Sequence, residues 1–119
     1  MILADTSVWI DHFRKGDARL ASLLLASEVL VHPLIIGEIA LGQLKARTTI
    51  LASLGNLQSA TVATDREVLD FISSASLGGS GIGYLDAHLL ASVVLTSGAK
   101  FWTRDRKLAS AAARLGLAA

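Results

Sequence analysis

The chain has 119 residues, a hydrophobic fraction of 52%, no cysteine and a formal net charge of +1. Its mean hydropathy is +0.54. These values exclude disulfide scaffolds and thiolate metal sites, and a near-neutral balance says little about partners. No apolar run approaches the roughly 18 residues of a membrane helix.

The elements alternate. Ile2-Leu3-Ala4 reads as a short buried strand. Trp9, Ile10 and Phe13 recur at helical spacing, and Gly16-Asp17 closes that helix. Ala18 to Ala26 reads as a second helix with Leu20, Leu23 and Leu24 on one face. Val29 to His32 is strand-like and is stopped by Pro33. Leu34 to Leu44 is the next helix, and Thr49 to Leu54 continues helically until Gly55-Asn56.

Ser59 to Thr64 alternates and is β-branched, which predicts a third strand. Thr64 or Asp65 caps a helix carrying Val68, Leu69, Phe71 and Ile72. Residues 78–83 form a glycine-rich loop, which lacks a following Lys-Ser/Thr and so is no P-loop. Tyr84 to Ser97 is the strongest helix, closed by Gly98. Lys100 to Thr103 is a fourth strand, Arg106 to Leu115 the last helix, and a final strand at Leu117 is barely long enough. Strands alternating with helices imply one α/β domain over residues 1–119, with a parallel sheet of four or five strands between two helical layers.

Four acids fall where elements end or begin: Asp5, Glu38, Asp86 and Asp105. Each lies in an apolar stretch expected to be buried, and a buried carboxylate is costly unless paired, hydrogen-bonded or bound to a cation. Asp5 ends the first strand, and Asp105 lies just past the fourth. Glu38 and Asp86 lie near helix starts, which in a parallel sheet face the same edge as the strand ends. Each acid alone also has a structural reading: Asp5 and Asp105 as helix N-caps, Asp86 as a charge at the positive end of a helix. Together they suit a hard divalent cation, Mg²⁺ or Mn²⁺. Metal with carboxylates points to phosphate chemistry. Ser7 and Thr103 are short hydroxyls able to orient a carboxylate beside them. Asp11, Asp17, Glu28, Asp65, Glu67 and Asp70 read as surface, turn or capping acids. His12, His32 and His88 have no zinc spacing, and Trp9 and Trp102 read as core.

From Lys100 onward the chain carries Lys100, Arg104, Arg106, Lys107 and Arg114 against only Asp105. This basic segment can meet a polyanion or be a solvated helix face.

The chain resembles the PIN-domain ribonucleases, and among them the VapC toxins of toxin–antitoxin pairs. The resemblance rests on four motifs in order: residues 2–11 ending Asp-Thr-Ser-Val-Trp-Ile-Asp, Ile36-Gly37-Glu38-Ile39, Leu85 to Ala91 around Asp86, and Trp102 to Leu108 around Asp105. It implies a PIN fold and Mg²⁺- or Mn²⁺-dependent hydrolysis of RNA, leaving a 5′-phosphate. It carries catalytic and metal-binding roles onto Asp5, Glu38, Asp86 and Asp105, with Thr103 organising the site. Arg104, Arg106 and Lys107 are expected to touch RNA phosphates. It also implies a homodimer and inhibition by a VapB-like antitoxin, while the lack of a secretory pattern at the start of the sequence and of cysteine suits the cytoplasm. The helices around Leu20 to Leu25 and Leu34 to Leu44 are expected to form the antitoxin groove.

Three rivals stand beside this reading. A phosphoacceptor receiver domain needs an Asp ending its middle strand, and Asp65 is a poor candidate. A haloacid-dehalogenase-type phosphatase needs an acid where Ser7 stands. A catalytically silent PIN-like module would bind RNA or antitoxin without cutting.

Overall fold

A computed structural model describes all residues, Met1 to Ala119. Its four strands are β1 (Ile2–Ala4), β2 (Val29–Val31), β3 (Gln58–Ser59) and β4 (Lys100–Trp102). They form one parallel sheet in the order β3-β2-β1-β4. The helices are α1 (Thr6–Lys15), α2 (Ala18–Leu25), α3 (Pro33–Leu41), α4 (Arg47–Gly55), α5 (Asp65–Ser74), α6 (Tyr84–Leu95) and α7 (Arg106–Arg114). They cover the sheet on both faces, giving the three-layer α/β/α architecture.

The central strand sets the core. Leu3 pairs in register with Leu30 on one side and Phe101 on the other. All three are buried, as are Val8, Ile35, Ile39, Leu89 and Leu90 from the helices. Each such side chain contributes about 1.5–3 kcal/mol through the surface it removes from water. The strands are short and apolar because both faces of a parallel sheet are covered.

Being parallel, the sheet presents every strand's carboxyl end at one edge. The chain leaves β1 toward β2 on one side, while β4 lies on the other. The strand order therefore reverses between β1 and β4, and crevices in such sheets open at that point. Asp5 follows β1 there, and Thr103 to Asp105 follow β4.

Several boundaries differ from the sequence expectation. The third strand covers Gln58–Ser59 rather than Ser59 to Thr64. Its last ladder bond runs from Ala60 N–H to the Val31 carbonyl at 2.8 Å. Beyond it Thr61 N–H donates to Thr96 Oγ1 (2.9 Å) and Ala63 N–H to Ser92 Oγ (3.2 Å). Side chains of α6 thus take the backbone donors, and the chain peels off the sheet. Helix α3 ends at Leu41 rather than Leu44 because Gly42 is extended. Pro33 not only stops β2 but opens α3 at its first turn, where a missing N–H costs nothing. Thr64, not Asp65, caps α5, in a reciprocal pair with Glu67. At the β4 edge, Phe101 N–H donates to the Leu117 carbonyl and Ala119 N–H to the Phe101 carbonyl. This makes a single parallel rung, Phe101 to Ala118, rather than a fifth strand.

Candidate active site

Asp5 and Asp105 both stand at N-cap positions after strands, but they are used differently. Asp105 caps α7, its Oδ1 accepting from Leu108 N–H at 3.0 Å. The Asp5 side chain makes no cap bond to α1. Its Oδ2 accepts instead from Thr103 Oγ1 at 2.7 Å and from Ser7 Oγ at 3.3 Å. The capping reading therefore holds for Asp105 and fails for Asp5. Asp5 is also the one buried acid of the four, at 8% exposure.

The two hydroxyls tie β1 to β4. Thr103 Oγ1 donates to Asp5 and accepts from Asp105 N–H at 3.1 Å. Ser7 Oγ accepts from Arg104 N–H at 3.1 Å. Thr6, which sequence reasoning missed, donates from Oγ1 to Glu38 Oε1 at 3.2 Å and so ties α3 to the same corner. Its only sequence signal was a hydroxyl following Asp5 at the first position of a helix.

The expectation that all four acids are buried is corrected. Asp86 is half-buried, and Glu38 and Asp105 are exposed. The apolar neighbours that suggested burial point into the core: Ile35 and Ile39 flank Glu38 in sequence, and Leu108 follows Asp105. The carboxylates themselves turn to the sheet edge.

The charges of the four nevertheless bear on one another. Glu38 is exposed as a residue, yet desolvation of its carboxyl raises its pKa above the ordinary value. The Thr6 hydrogen bond opposes this, and the charges of Asp5 and Asp86 add to it. Asp86 is likewise raised, by burial first, against a hydrogen bond from Gly83 N–H, with Asp5 and Asp105 adding charge. Asp5 is the neighbour common to both. Such mutual repulsion is what a cation relieves.

All four donors are carboxylate oxygens, which fits a hard cation of the Mg²⁺ or Mn²⁺ class. No three acidic or histidine side chains are already arranged as a closed ligand set. A cation held by all four would need them to draw inward or would be bound partly through water.

The basic residues split. The Arg104 guanidinium is clamped between Asp11 at 2.6 Å and Asp17 at 2.5 Å, so it is not free to meet a phosphate as expected. Asp11 and Asp17, read as surface or capping acids, thus hold Arg104, and Asp17 also caps α2 through Leu20 N–H. Arg106 and Lys107 are exposed on the first turn of α7 and make no ion pair. Trp9 is core, at 3% exposure. Trp102 is only partly so: the guanidinium of Arg19 lies 4.4 Å from its ring centroid and that of Arg104 5.7 Å.

His32 and His88 stand apart from the acids. His32 is fully buried, with Nε2 3.0 Å from Ser92 Oγ and Nδ1 accepting from Leu34 N–H at 3.1 Å. Its ring is 5.8 Å from that of His88, whose Nε2 lies 3.8 Å from Asp65 Oδ1.

A parallel α/β/α sheet with acids following its strand ends and opening its helices agrees with the match of residues 2–114 to the PIN domain family. The chain belongs to that family. It is 50% identical over 118 residues to Ribonuclease VapC32 of Mycobacterium tuberculosis strain CDC 1551 / Oshkosh, covering 99% of this chain and 95% of the relative. The figures are the same for Ribonuclease VapC32 of strain ATCC 25618 / H37Rv.

Proposed function

We propose that this chain is a metal-dependent endoribonuclease and the toxin of a toxin–antitoxin pair, acting in the cytoplasm. The observation that carries the reading is the gathering of carboxylate charge around Asp5 at the β1/β4 crevice, in a chain half identical to a ribonuclease. Asp5, Glu38, Asp86 and Asp105 would hold Mg²⁺ or Mn²⁺ and form the catalytic centre. When bound, such an ion supplies Lewis acidity at the scissile phosphate.

The remaining roles belong to the chain. Thr103 and Ser7 fix the orientation of Asp5 through its Oδ2. Thr6 holds Glu38 toward the same corner. Glu38 and Asp86, whose carboxyls desolvation holds above their ordinary pKa, are acids whose charged form a bound cation would favour. Arg106 and Lys107 neutralise flanking RNA phosphates, a sequence-independent and salt-sensitive contribution. Arg104 is left out of that role because Asp11 and Asp17 occupy it. It acts through structure, bracing the Ser7 turn.

The partners follow from apolar surface. Leu25 and Leu41 are each 90% exposed, and Val94 and Leu95 are exposed on α6. Such residues favour a homodimer and a bound antitoxin of the VapB kind. A hollow of about 220 Å³ between α1, α2 and α4, lined by Trp9, Phe13, Leu24, Ile50, Leu54 and Leu57, suits an antitoxin's apolar side chains. It takes Leu24 from the first of the two helices named from sequence and its other walls from α1 and α4.

The test is cleavage of total cellular RNA by purified protein with Mg²⁺ or Mn²⁺, with and without EDTA, beside Asp5→Asn. Metal-dependent cuts that vanish in the variant are expected. Folded wild-type protein that leaves broad RNA substrates intact would favour the silent binding module.

A further inference from the structure

The loop over residues 78–83 reaches the proposed catalytic centre only through Gly83 N–H, which meets Asp86, and its Ser80 forms one wall of a separate hollow. Ser80 from the loop faces Arg106, Lys107, Ser110, Ala111 and Arg114 of α7 across a space of about 380 Å³. Three cations line it and no acid does. Arg106, Lys107 and Arg114 make no salt bridge, although Arg114 donates to the Ala75 carbonyl at 2.9 Å. Three like charges around one hollow repel, and an anion with several charged oxygens relieves them. The two serine hydroxyls add neutral donors of the kind that contact phosphate oxygens.

The loop fits closely against one of these cations. Gly81 has φ +84, and a Cβ there would stand 3.4 Å from both Cδ and Nζ of Lys107. Glycine at 81 thus lets the Lys107 side chain lie along the loop.

The hollow is also placed to follow the acid edge. Asp105 caps α7, and Arg106 and Lys107 are its first two residues. The stripe then runs down the helix through Ser110 to Arg114, about 12 Å at the helical rise. Leu108 and Ala112 face the core, so the stripe is the outer surface.

We propose that this hollow, lined by Ser80, Arg106, Lys107, Ser110 and Arg114, is a subsite for the phosphodiester backbone of an RNA strand that passes through the acid edge. The proposal rests on the ribonuclease reading and adds to it a second contact region, off the catalytic centre, that fixes the strand's direction.

The test measures binding of a labelled single-stranded oligoribonucleotide in EDTA across a range of salt, for wild type, Lys107→Ala, Lys107→Arg and Ser110→Glu. Each lost phosphate contact lowers the salt slope by about 0.7, which at about 0.1 M salt is roughly fivefold in Kd. Lys107→Ala is expected to show that loss, Lys107→Arg to retain the wild-type slope, and Ser110→Glu to weaken binding further by placing a carboxylate in the hollow. Thermal melting of each variant verifies folding. If wild type binds RNA while folded Lys107→Ala and Ser110→Glu keep its Kd and slope, the subsite is overturned and the ribonuclease reading stands. If wild type itself binds no RNA in EDTA, the subsite is overturned, while the ribonuclease reading is decided separately by the metal-dependent cleavage assay.

Discussion

Two polar regions of this molecule contrast. At the buried His32–Ser92 contact, both ring nitrogens and the serine hydroxyl have partners, and the ring is sealed from water. At the acid edge, hydroxyls and backbone donors meet some carboxylate oxygens, while the charge of Asp5 bears on both Glu38 and Asp86. The first region is closed and holds helices α3 and α6 and the strand-leaving segment together. The second is open, and its repulsion is stored where a ligand can relieve it. Polar groups that complete their own hydrogen bonds serve the fold. Those that leave charge uncompensated serve binding.

The largest way to break this contrast is Asp5→Asn. It removes the shared charge but keeps one oxygen able to accept from the two hydroxyls, and RNA cleavage is expected to be abolished while a circular dichroism melt shows a folded protein. A variant that cuts RNA at the wild-type rate would remove Asp5 from the centre. Thr103→Val is next. It deletes the 2.7 Å bond to Asp5 and is expected to lower cleavage about 10–100-fold, the usual cost of losing an orienting partner. Unchanged rates would mean that Asp5 is fixed without it.

The histidine region sharpens the contrast through stability. His32→Leu leaves Leu34 N–H without its side-chain acceptor and takes one partner from Ser92, and is expected to cost about 1–3 kcal/mol in urea unfolding near pH 7.5. The pH dependence has a definite sign. Burial, with His88 adding to it, depresses the His32 pKa from 6.5 to about 4. The unfolded chain therefore takes up a proton first as pH falls. The His32 contribution is complete above pH 6.5 and is lost between 6.5 and about 4, a total of about 3 kcal/mol. His32→Leu should flatten that slope. Glu38 and Asp86 act oppositely, because their raised values mean that protonation favours the folded state. A wild-type slope no steeper than that of His32→Leu would contradict the account of the buried ring.

The smallest effect is expected from Arg104→Ala. Its two ion pairs are partly exposed, so the stability loss is about 1 kcal/mol or less. The salt slope of RNA binding should not change, since the guanidinium is already engaged. A drop of one contact's worth in that slope would return Arg104 to the phosphate-binding set.

Much of this was legible in the sequence, for identifiable reasons. The strand–helix alternation, the parallel sheet and the position of Asp5 followed from short apolar runs ending at an acid. The boundary of β3 was not legible, because residues 60–63 alternate like a strand but give their N–H groups to Thr96 and Ser92, thirty or so positions away. Burial of Glu38 and Asp105 was misread because apolar neighbours say where the helix faces, not where one carboxylate turns. The fate of Arg104 was hidden for a related reason. Local charge made it a free cation, while its partners Asp11 and Asp17 lie nearly ninety positions earlier. The hollow on α7 escaped notice because its glycine loop matches no phosphate motif and contributes only Ser80 and room for Lys107.

The most direct measurement is calorimetric titration of Mn²⁺ and Mg²⁺ into wild type and Asp5→Asn at neutral pH. Saturable binding that is lost or weakened at least tenfold in the variant is the result the acid edge predicts. No binding by folded wild type, or binding undiminished in Asp5→Asn, would contradict it.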